Sequence, residues 1–101
     1  MILQVSAESP PRLLQPCDLT RLSCEISLPA SHAEKAQSVL DGIAMLVQGH
    51  AWISVTWLRT NGERDVGTEW LERFEKMIDK ARPHGWISED GLSVKAHIVW
   101  E

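Results

Sequence analysis

Hydrophobic and polar positions alternate along three stretches of this chain. In LTRLSCEISL, residues 19–28, Leu22, Cys24, Ile26 and Leu28 share one side, and Arg21, Ser23, Glu25 and Ser27 share the other. In LSVKAHIVW, residues 92–100, Leu92, Val94, Ala96, Ile98 and Trp100 alternate with Ser93, Lys95, His97 and Val99. A period of two is that of a strand with one buried face. The third stretch, WISVTWLRT at 52–60, sets Ile53, Val55 and Trp57 against Trp52, Ser54, Thr56 and Leu58. The more apolar set belongs inside, so Trp57 is expected in the core and Trp52 on the outer face. Asn61-Gly62 then predicts a type I′ turn into a short return strand over 63–66.

Two other stretches follow the helical period. Ser31-His32-Ala33-Glu34 has the form of a capping box, and Ala36, Val39, Leu40, Ile43, Leu46 and Val47 extend one apolar stripe to a stop at Gly49. Gly42 lies inside this helix as a local weakness. From Thr68 or Glu69 to Arg82, the residues Trp70, Leu71, Phe74, Met77, Ile78 and Ala81 form a second stripe. The pairs Glu69–Arg73 and Glu72–Lys76 have the spacing of helical ion pairs, and Pro83 and Gly85 end the helix. Residues 2–7 suit a short strand. The three prolines of 8–18 argue against a regular ladder and for a loop or arm. Trp86-Ile87-Ser88 is expected to pair across Asp90-Gly91 with the last strand.

Strands with one apolar face and helices with one apolar stripe assemble into two layers. The expected fold is α+β: one domain over 1–101, with two helices on one face of a three- to four-stranded, mainly antiparallel sheet. The element order resembles split βαβ folds of the ferredoxin type. At 101 residues, with 44% hydrophobic and 24% charged residues, the chain is long and apolar enough to build its own core.

Charge and cysteine content narrow the function classes. The net charge is −4, and the ten Lys and Arg are scattered along the sequence, which argues against nucleic-acid binding. The open face of such a sheet also offers one aromatic ring, Trp52, where base stacking needs two or three. The opening MILQVSAESPPR lacks the features of an export signal, and no apolar run has membrane-spanning length, so a cytoplasmic protein with no membrane partner is expected. Cys17 and Cys24 are expected to be reduced. Their spacing matches neither a redox nor a zinc motif, and no metal or cofactor is expected. No catalytic motif is present; an exposed His97 beside Glu25 is more economical as a salt link than as an acid–base pair.

These observations favour a small non-enzymatic binding or regulatory domain. It would dock another protein, or a second copy of itself, through its open sheet face or a sheet edge, in an inhibitor-like or assembly role. The candidate binding residues are Trp52 as anchor, with Arg21, Glu25, Lys95, His97 and Ser54 around it. The arm at 8–18, with Leu13 and Leu14, is the natural candidate to fold over that face. The alternative is a dimeric ligand-binding or enzymatic domain with its pocket between the open face and this arm.

Overall fold

In the computed structural model, which describes residues 1–101, the alternating stretches and apolar stripes are divided differently from the sequence expectation. Strands β1 (Ile2–Val5), β2 (Arg12–Leu14) and β3 (Ser23–Ile26) precede helix α1 (Ala33–Val39). The hairpin of β4 (Ala44–Val47) and β5 (His50–Ser54) follows, then α2 (Val55–Val66), α3 (Thr68–Ala81) and β6 (Ser93–Trp100). The sheet has six strands in the order β2-β1-β3-β6-β5-β4. It is mixed: β1, β3 and β6 run parallel, while β2, β5 and β4 pair antiparallel with their neighbours. The expected smaller antiparallel sheet and ferredoxin-type order are therefore replaced, although the α+β class holds.

Two local events account for most of the difference. The first helix stops at Leu40, because Gly42 takes a positive φ of 77° and turns the chain into β4. Leu46 and Val47 then lie on a strand. Gln48 and Gly49, both at positive φ, form its two-residue hairpin turn. No side-chain cap starts this helix, so the expected capping role of Ser31 is not realised. The second event is at Ser54. Its Oγ accepts from the Trp57 amide at 3.1 Å, capping a helix where the alternating pattern continued a strand. Asn61 and Gly62 consequently sit inside α2, with neither a turn nor a return strand, and Trp57 is a half-buried helical residue.

The helices cover one face of the sheet. Leu3, Cys24 and Ile98 form one cross-strand row, and Ala51 with Ala96 and Ile53 with Val94 form two more; all are buried with Leu58, Trp70, Phe74 and Ile78 in one core cluster. Burial pushes the Cys24 thiol pKa up to about 11. Where α2 meets α3, Gly62 leaves no space for a side chain: a Cβ there would overlap the Trp70 ring. Trp70 stacks on Phe74 at 4.9 Å, and its Nε1–H donates to the Pro16 carbonyl at 2.5 Å. Arg12–Leu14 form a short ladder between Pro11 and Pro16, contrary to expectation. That places the 8–18 segment at the β2 edge, separated from β5 by three strands, so it does not cover Trp52.

The C-terminal hairpin forms as expected. Ile87 bridges Val94, and the Lys95 amide donates to the Trp86 carbonyl at 2.7 Å. The Asp90 carboxylate sits below its ordinary pKa because it accepts from the Ser88 hydroxyl and the Leu92 amide. Leu92, assigned by its alternation to the inner face, lies before the strand and is exposed.

Candidate functional site: the uncovered face and the cleft at its margin

The sheet face opposite the helices is uncovered, and its residues follow from register. Trp52 on β5 lies between Met45 on β4 and Lys95 on β6. In a parallel row, His50 stands between Val47 and His97, and His97 is also aligned with Ser23. Met45, Val47 and Val99 are all large hydrophobic residues left exposed, Met45 at 64%. Trp52 is half-buried by its neighbours and borders a shallow hollow of about 220 Å³ that Met45 also lines. Cross-strand neighbours of this kind form a continuous surface, since directly opposed side chains lie within contact range.

The structure brings Trp52, Glu25, Lys95, His97 and Ser54 onto this face, but in unequal roles. Glu25 is exposed beside Val99 and forms no ion pair with His97 or Lys95. Ser54 is committed to capping α2. Arg21 precedes β3, so it does not belong to the strand face. Met45, Val47 and His50 were missed because their stretch followed a helical stripe into Val47. The signal for them was the alternation on either side of Gln48-Gly49.

The sheet edges are poorly suited to docking. On α1, the Gln37 side chain donates to the Ala44 carbonyl and accepts from the Leu46 amide, both at 2.8 Å. This carboxamide occupies the outward-facing backbone groups of β4 as a neighbouring strand would. At the opposite edge, β2 has only three residues.

Where β6 changes neighbour, from the Trp86–Ser88 segment to β3, a cleft of about 940 Å³ opens between residues 19–23, the C-terminal half of α3 and β6. Its basic side chains are Arg21, Arg73, Lys76, Lys80 and Lys95. Its apolar wall includes Leu19, Leu22, Met77 and Val94, and no residue of 8–18 lines it. The expected ion pairs of Arg73 and Lys76 with Glu69 and Glu72 are not formed; the bridges present are Arg59–Glu75, Arg64–Asp65 and Arg82–Asp79. Cys17 is exposed and Cys24 buried, and with His32 they form no metal-binding group. Comparison with known proteins finds no matching family model, no similar curated protein and no similar solved structure.

Proposed function

We propose that this is a small, non-enzymatic docking domain that works through the uncovered face of β4, β5 and β6. The observation that carries this proposal is the cross-strand group of Met45, Trp52, Val47 and His50, left open on a sheet whose other face carries the core cluster. An aromatic anchor among apolar neighbours, with charge at the margin, is the composition of a protein interface core. The occupant is a protein surface that is apolar opposite Met45 and Trp52 and carries a carboxylate opposite Lys95. A second copy of the chain has these features: Glu25 and Lys95 lie toward different ends of the same face, so a two-fold arrangement can bring unlike charges together. The mechanism is steric, through assembly or occlusion. Its site is the face, because the edge backbone of β4 is already engaged by Gln37.

Light scattering and sedimentation over a wide concentration range test this proposal, comparing the chain with Trp52→Ala and Met45→Ser. Concentration-dependent dimerisation that both substitutions weaken, with folding intact, supports it. A monomer throughout the range, together with unchanged amide-exchange protection on β4–β6 at all concentrations, overturns self-docking. A second reading, as a small-ligand domain, is favoured by the cleft, whose position differs from the pocket expected beside the 8–18 arm.

A further inference from the structure

We infer that the cleft between α3, β6 and residues 19–23 is a binding site for a small polyanion bearing a planar apolar group, the chemistry of a nucleoside di- or triphosphate. The charge distribution is the first ground. The chain carries 14 Asp and Glu against ten Lys and Arg, yet half of those cations and none of those carboxylates line this one cleft. None of the five is in an ion pair. Three carboxylates close in sequence are engaged elsewhere: Asp18 accepts from the hydroxyl and amide of Thr20, Glu75 pairs with Arg59, and Asp79 faces Arg82. Five unpaired cations around a hollow on an acidic protein repel one another and focus a positive field into it, which favours an anion in the cleft.

The arrangement limits what anion fits. Arg73, Lys76 and Lys80 recur at helical spacing on one side of α3, a row of roughly 10 Å at the helical rise per residue. Such a row is too long for a single carboxylate or phosphate and suits charges distributed along a chain. Arg21 and Lys95 reach the same cleft from other elements. Apolar surface is present as well. Trp86, half exposed and stacked on His84 at 4.6 Å, lines the cleft together with Met77 and Ala81. An exposed indole offers a stacking surface to a planar ring, and a volume near 940 Å³ is of small-ligand size. The inference does not rest on face docking, but the cleft shares His97, His50 and Lys95 with the docking face.

The test is isothermal titration of the full chain, without divalent metal and at physiological salt, using ATP, inorganic triphosphate and adenosine as probes. Saturable one-to-one binding of ATP is expected, with triphosphate weaker and adenosine at least tenfold weaker. The Lys76→Ala/Lys80→Ala variant, folded by circular dichroism, is expected to weaken ATP at least tenfold. Trp86→Ala is expected to weaken ATP at least threefold and leave triphosphate unchanged. Arg12→Ala/Lys35→Ala removes the same charge from exposed positions outside the cleft and is expected to change ATP affinity less than twofold. The inference is overturned if neither ATP nor triphosphate binds saturably, or if the Arg12/Lys35 variant loses as much affinity as the Lys76/Lys80 variant. It is also overturned if an oligothymidylate competes for the cleft more tightly than ATP, which would identify a strand-binding surface.

Discussion

The two faces of this sheet come from the same strands and have opposite character. On the covered side, Leu3, Cys24, Ala51, Ile53, Val94, Ala96 and Ile98 are buried in one cluster with residues of all three helices; on the other, Met45, Trp52, His50, His97 and Val99 have no layer above them. Backbone geometry is shared, so the difference lies wholly in what each row packs against. One face is packed into the core cluster, and the other lies outside it. Energetic weight therefore follows buried residues such as Phe74 and Trp70, whereas Trp52, despite its size, is only half-buried and lies outside that core.

Substitutions can break this contrast in order of size. Gly62→Val is expected to have the largest effect, because its side chain would enter the Trp70 ring; a loss above about 4 kcal/mol in urea melts, or failure to fold, is the outcome. Phe74→Ala, fully buried on α3, should cost about 3–5 kcal/mol by the same measurement. Cys24 gives a titratable version of the same test. Below pH 9 its thiol is protonated in both states; between pH 9 and about 11 the unfolded chain loses the proton while the native chain keeps it, so stability falls as pH rises. Melts at pH 8 and pH 11 should show an alkaline loss of up to about 2–3 kcal/mol in the wild type that is absent from Cys24→Ala. Trp52→Ala should change stability by less than about 1 kcal/mol. A loss comparable to that of Phe74→Ala would show that the open face is structural and end the contrast.

How much of this was legible depended on whether one period described a stretch. In α3, Trp70, Phe74, Ile78 and Ala81 obey the helical period alone, and the helix and its inward stripe agree with expectation. In 33–47, Leu46 and Val47 continue the stripe of Ala36 and Leu40 while also alternating with Ala44 and Met45, so only the positive φ of Gly42 decides where the helix ends. In 50–62, Ile53 and Val55 alternate, yet Val55, Leu58 and Gly62 are the buried face of a helix; the cap that separates the two, Ser54, looked like one more polar strand position. The open face was legible because β3 and β6 kept their alternation, which placed Glu25, Lys95 and His97 together with Trp52. Strand order was not, since nothing local determines that β6 enters between β3 and β5. The cleft was hidden for the same reason: its cations are dispersed in sequence, and Arg73 and Lys76 had nearer carboxylates to be assigned to.

The central place of β6 also bears on the order in which the molecule can form. The strand that comes last along the chain lies in the middle of the sheet, hydrogen-bonded to β3 on one side and β5 on the other. Until Ser93–Trp100 dock, the sheet is two separate pieces, β2-β1-β3 and β5-β4, each with an open edge and neither able to recruit the other. The pairing of Ser23 with His97 closes most of the chain into one loop, a long-range contact of the kind that slows folding and makes it cooperative. Any form of the chain in which Ser93–Trp100 is undocked leaves the edges of β3 and β5 open to other chains.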